Sequence, residues 1–140
     1  LKALGKHITI ETAGALFVPD LACDLMSISP KLSNSVPARA DLAEVHERLR
    51  FDLDSTRRLI ETYRHQLKFV IESETDLDEI QRIVETLGDV DRTKVLLMPQ
   101  AVTRDDLLAR SPAIAAMCRD TGFSFGQRLH LLLWDTQRGV

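Results

Sequence analysis

Two rhythms of apolar residues follow one another along this chain, short runs with strand spacing and longer stripes with helix spacing. His7 to Thr12 (HITIET) alternates and is rich in β-branched side chains, which predicts a strand ending near Glu11 and a turn at Thr12-Ala13-Gly14. Leu16 to Pro19 is a short apolar connection, and Leu25 to Ser29 is the second strand. Pro30 stops its ladder, because proline has no amide to donate and holds the residue before it extended. Ser33 to Ala40 reads as a loop. Helical spacing begins at Asp41 with Leu42, Val45 and Leu49, and resumes with Leu59, Ile60 and Tyr63 after Asp52-Leu53-Asp54. Gln66 to Glu72 is a third strand. Leu77, Ile80, Ile83, Val84 and Leu87 form a helical stripe, opened by Thr75 or Asp76 and closed by Gly88. Thr93 to Met98 is a fourth strand, running into Pro99-Gln100. A helix starts at Thr103, is expected to break and recap at Ser111-Pro112, and ends at Gly122. Gln127 to Trp134 (QRLHLLLW) reads as a fifth strand, followed by a tail from Asp135 to Val140.

Strands alternating with helices at this spacing predict an α/β fold with a parallel sheet and right-handed crossovers, and leave the strand order open. The C-terminal ends of parallel strands gather on one rim, which is where such folds place ligands. That rim collects Glu11, Thr12, Ser29, Lys31 and Gln100. Lysines there can meet carboxylates, and a glutamate can accept two hydrogen bonds from a guanidine-like edge. Lys68 and His130 stand inside runs that are otherwise almost entirely apolar. Each has two open readings. Lys68 snorkels to water from an edge strand or faces a site, and His130 is a hydrogen-bonded core histidine or a ligand contact. His7, His46 and His65 look like ordinary strand-start and helix-surface residues. There is no Gly-rich phosphate loop, GxSxG elbow or HExxH pair.

Composition narrows the classes. At 140 residues the chain is one domain or a piece of one, with enough length for a core. Its 18 basic and 21 acidic residues, net −3, give no electrostatic footprint for nucleic acid or an anionic membrane. No run approaches a membrane span, so a cytoplasmic protein is expected. Cys23 and Cys118 are far apart and belong to no CxxC pair, which argues against a disulfide framework. Leu1 to Gly5 resembles the last turn of a helix, an indication that something precedes it.

IETAG at 10 to 14, SISPKLSNS at 27 to 35, QLKFVI at 66 to 71, LLMPQ at 96 to 100 and GQRLHLLLWDTQRGV at 126 to 140 occur in this order. Together they resemble the C-terminal portion of the 7-carboxy-7-deazaguanine synthases, radical S-adenosylmethionine enzymes of queuosine and deazapurine biosynthesis. The resemblance implies the C-terminal part of a partial, modified (β/α) TIM-like barrel, usually homodimeric. It implies rearrangement of 6-carboxy-5,6,7,8-tetrahydropterin to 7-carboxy-7-deazaguanine with loss of ammonia. A [4Fe-4S] cluster and Mg²⁺ would serve that chemistry, with electrons from a donor such as flavodoxin or ferredoxin. By matching position, Ser29, Lys31 and Gln100 correspond to S-adenosylmethionine contacts. Glu11, Thr12, Lys68, His130 and the carboxylate of Val140 correspond to the substrate side. The family's three cluster cysteines, its Gly-Gly-Glu-Pro segment and its Mg²⁺ threonine have no counterpart in these residues, so this segment by itself is expected to be inactive. Ala15 stands where a hydroxyl residue is common, and Asp135 where glycine usually follows the tryptophan. Outside this family, two readings remain: a non-catalytic α/β ligand-binding module, and an aldolase-like barrel using Lys68 as a Schiff-base nucleophile.

Overall fold

A computed structural model describes residues 1–35, 43, 46 and 50–137. Ala43 and His46 are helical, while the rest of the stripe expected over Leu42, Val45 and Leu49 lies outside the described residues, as does Val140. Five strands, β1 (Thr9–Thr12), β2 (Leu25–Ile28), β3 (His65–Ile71), β4 (Val95–Pro99) and β5 (Ser124–Phe125), form one sheet. Their spatial order is β1-β2-β3-β4-β5, and every neighbouring pair is parallel. Beyond the helical Ala43 and His46, four α-helices have described bounds: α1 (Leu53–Thr62), α2 (Glu74–Leu87), α3 (Arg104–Thr121) and α4 (Leu129–Trp134).

Strand parity decides where the core sits. The register aligns Met26, Ile28, Leu67, Phe69, Ile71, Val95 and Leu97 on one side of the sheet, and all are at most 1% exposed. Leu59 of α1, Ile80, Ile83, Val84 and Leu87 of α2, and Ile114 and Cys118 of α3 join the same cluster. All three helices therefore cover one face. An unreversed strand order with helices on one side is the winding of a barrel segment, since doubly wound sheets reverse order to use both faces. The opposite face carries Glu11, Ser27, Gln66 and Lys68.

Local signals fix the ends. Ser73 caps α2 in a box with Asp76, which accepts from the backbone N–H of Glu72 at 2.8 Å and of Ser73 at 3.1 Å. The cap thus falls two or three residues before the Thr75 or Asp76 expected from sequence. Thr103 caps α3, as its sequence predicts. Gly14, at φ 82°, is a requirement of the fold: a Cβ there would lie 2.7 Å from Thr56 Oγ1 and 2.9 Å from Ile28 Cγ2. Its carbonyl accepts the Thr56 hydroxyl at 3.2 Å, which docks α1 on the β1 turn.

Two expectations are overturned. Ser111-Pro112 does not break α3, which runs unbroken for 18 residues. Pro112 is exposed, so the carbonyl it leaves without a donor is on the solvent side, while Leu107, Ile114 and Cys118 bury the other side. The run Gln127 to Trp134 is not a strand. β5 is the pair Ser124–Phe125, and Leu129–Trp134 is helix α4, which places His130 on an exposed helical surface instead of in a sheet. A short apolar run fits either element by periodicity, and here tertiary hydrogen bonds choose. Arg104 donates from Nε to Leu132 O and from Nη2 to Leu133 O, both at 2.9 Å, satisfying carbonyls of the last turn of α4. Asp135 in return accepts from the Arg104 backbone N–H at 2.7 Å, at the N-terminus of α3, where negative charge is favoured. Each helix closes an end of the other. Asp135 does this at φ 54° and ψ −126°, a conformation natural to glycine.

Gly14→Ala should destabilise the chain by about 2 kcal/mol or more through the positive φ and the contact with Thr56, read as a lowered denaturant midpoint at unchanged slope. Arg104→Ala should leave the sheet intact and accelerate amide hydrogen exchange in 129–135, by an opening cost lowered about 1 to 3 kcal/mol.

Candidate functional site

The segment after β2 is held by one carboxylate. Glu79, on α2, accepts from Ser33 Oγ at 2.6 Å and from the Ser33 backbone N–H at 3.1 and 3.2 Å. Arg50 Nη1 closes the clamp, donating to Glu79 Oε1 at 2.8 Å and to the carbonyl of Lys31 at 2.9 Å. Burial pushes the Glu79 carboxyl up, but the Ser33 hydroxyl and amide and the Arg50 guanidinium outweigh it and hold the group below its ordinary value. The backbone at and after the lysine is thereby fixed while the Lys31 side chain remains exposed. Among the described residues no carboxylate is ion-paired with its ammonium.

Beyond the ends of β2, β3 and β4 this segment walls a cleft of about 370 Å³. Ser29, Lys31 and Gln100 all line it. Backbone pairing sets two of them: Ser29 N donates to Thr12 O at 2.7 Å, and Gln100 N to Ile71 O at 2.9 Å, each continuing a ladder one residue past its strand. Two lining residues escaped the sequence reading. Glu72 follows β3 directly, so the strand-end rule applies to it as to Gln100. His46 lines the cleft beside Ser35, its Nε2 3.5 Å from Ser35 Oγ, and no local pattern distinguishes it from a surface histidine. One ammonium, one carboxylate and several amide or hydroxyl groups around a cavity of this size suit a zwitterionic ligand.

A second polar group lies on the helix-free face. The register aligns Glu11, Ser27 and Gln66 across three strands, with Lys68 two residues further along β3. Lys68 Nζ donates to Glu11 Oε1 at 3.1 Å, and Gln66 Nε2 donates to Ser27 Oγ at 3.0 Å. Val70, two residues beyond Lys68 and about 7 Å along the strand, lines the cleft, so the two groups adjoin. Thr12 does not join them. It lies on the helix-covered side with Ile28, and its Oγ1 accepts from the Gly14 N–H at 3.1 Å. His130 projects from α4 and lines neither group. Among the described residues no three His, Cys, Asp or Glu side chains are grouped to hold a metal ion. No helix among them is long and apolar enough to cross a membrane.

Fold and site define a class: a singly wound parallel α/β segment with a polar cleft at the C-terminal ends of its strands. Within that class its sequence is similar to the 7-carboxy-7-deazaguanine synthases, over its whole length. It is 35% identical to the 7-carboxy-7-deazaguanine synthase of Rhodopirellula baltica, covering 100% of this chain and 55% of that protein. It is 33% identical to that of Halobacterium salinarum, with 96% and 57% covered, and 29% identical to that of Pyrobaculum aerophilum, with 99% and 57% covered. The chain spans about half the length of the curated relatives it matches, their C-terminal portion. No family model matches the chain, and no solved structure matches it.

Because the folded Glu79 carboxyl titrates below its ordinary 4.5, its contribution is complete above that pH and is lost as pH falls through the lower folded value. Amide exchange at Ser33 should therefore rise on acidification below about pH 4.5. Glu79→Gln should show the loosened state already at neutral pH, at a cost of about 1.5 to 3 kcal/mol. Equal Ser33 protection in both proteins at pH 7 would remove the clamp.

Proposed function

We propose that this chain is the C-terminal portion of a 7-carboxy-7-deazaguanine synthase and that its cleft binds S-adenosylmethionine. The observation that carries this is the convergence of Ser29, Lys31 and Gln100 on one cavity in a chain similar to those enzymes from end to end. The Lys31 ammonium would take the cofactor's carboxylate, with Ser29 and Gln100 orienting the rest by hydrogen bonds. When bound and reduced, the cofactor supplies an adenosyl radical. The open face would take the 6-carboxy-5,6,7,8-tetrahydropterin, Glu11 accepting from its amino-pyrimidine edge. Overall this is a carbon–nitrogen lyase reaction that releases ammonia.

The described residues do not fit a [4Fe-4S] cluster or Mg²⁺. Cys118, on α3, is buried, donates from Sγ to Ser124 O of β5 at 3.4 Å, and has its thiol pushed up by burial, while Cys23 packs against the core. We assign both metal groups to the part of the relatives' length that this chain does not span. An electron donor of the flavodoxin or ferredoxin kind, a cytoplasmic setting and a homodimer belong to the same proposal. Leu129, Leu133 and Trp134, exposed on α4, supply apolar surface for a partner copy. A Schiff-base role for Lys68 is disfavoured, because an ion-paired ammonium has no free electron pair for attack.

Calorimetric titration with S-adenosylhomocysteine, which carries the same amino-acid carboxylate, tests the cleft. Binding should be measurable and should weaken about tenfold or more in Lys31→Ala, the loss of one charge-assisted contact. Undiminished binding in that variant, or none in the wild type, would sink the assignment.

A further inference from the structure

Lys68 stands in the middle of a central strand between Leu67 and Phe69, both wholly buried. Only 18% of its side chain is exposed, so its ammonium needs an acceptor. Glu11, two strands away, is its ion-pair partner at 3.1 Å and is itself 70% exposed. The row between them is self-satisfied. Ser27, 1% exposed, accepts the Gln66 amide, so neither side chain needs Glu11. One Glu11 oxygen is thus fixed by Lys68, and the other has no partner among the described residues on a side chain that is 70% exposed.

We propose that Lys68 is a positioning residue for Glu11: it holds one carboxylate oxygen so that the other is preorganised to accept from a guanidine-like edge, without touching the ligand itself. This rests on the reading of the open face as the heterocycle site. An unanchored glutamate must freeze its rotatable bonds on binding, a cost that the ion pair meets beforehand. Gln66 and Lys68 then divide the work on the same strand, Gln66 satisfying the floor of the face and Lys68 aiming its acceptor.

The probe is 7-carboxy-7-deazaguanine, whose amino-pyrimidinone edge offers two adjacent donors, titrated into the wild type, Lys68→Met, Lys68→Arg and Glu11→Gln. S-Adenosylhomocysteine is titrated in parallel as a report on the neighbouring cleft. The wild type should bind the probe, Glu11→Gln should lose it, and Lys68→Met should weaken it about five- to tenfold. Lys68→Arg should recover to within about twofold, since a guanidinium can anchor the same oxygen. Probe binding in Lys68→Met equal to wild type overturns the proposal, as does failure of Lys68→Arg to recover, which would mean that the lysine contacts the ligand. Wild type that takes S-adenosylhomocysteine but not the probe overturns it while leaving the cleft reading intact, and wild type that takes neither removes both. A measurement on the unsubstituted protein is independent of any folding defect. On adding the probe, the Glu11 carboxyl carbon resonance should shift while the Lys68 ammonium nitrogen keeps its ion-paired position. Displacement of the lysine would overturn the proposal.

Discussion

A lysine on a polar loop is ordinarily a solvated side chain with no fixed position. Here the Glu79 carboxylate fixes the backbone that carries it, because it takes both donors of Ser33 while Arg50 ties it to the Lys31 carbonyl. Bonds to a charged acceptor contribute more than neutral ones, and with each of the two side chains 15% exposed, water competes weakly for them. The cleft depends on this. Its lysine is exposed and unpaired among the described acids, yet the backbone that carries it cannot drift.

The sheet extends the same logic. Covering only one face with helices leaves the other face free for polar side chains that a doubly covered strand could not tolerate. Lys68 and Ser27 are affordable in strands this apolar because each finds a partner two strands or one strand away, in Glu11 and Gln66. Polar satisfaction and site construction are here one event. The pair that removes a desolvation penalty also orders the acceptor facing the cleft's neighbour.

At the far end of the chain, Arg104 and Asp135 show how a glycine-like backbone can be held by another residue. The backbone at Asp135 keeps the positive φ that suits glycine, and the carboxylate that glycine lacks closes the N-terminus of α3. Local strain is opposed by a charge-assisted hydrogen bond. Nothing in a one-dimensional pattern links positions 104 and 135, yet together they determine that the apolar run before Asp135 is a helix.

What the sequence determined by itself was local. Alternation in Thr9–Thr12, the stripe from Leu77 to Leu87, the cap at Thr103 and the stop at Pro30 each follow from steric and hydrogen-bonding preferences of near neighbours, and they placed β1 to β4, α2 and the start of α3. The strand-end rule then located Ser29, Lys31 and Gln100, because chain direction alone fixes which end of a parallel strand reaches the rim. Tertiary structure decided the rest. It chose helix over strand for Leu129–Trp134, kept α3 whole through Pro112, and brought His46 into the cleft. Strand order, face and long-range pairing arise from contacts between residues tens of positions apart, and such contacts leave no period in the sequence.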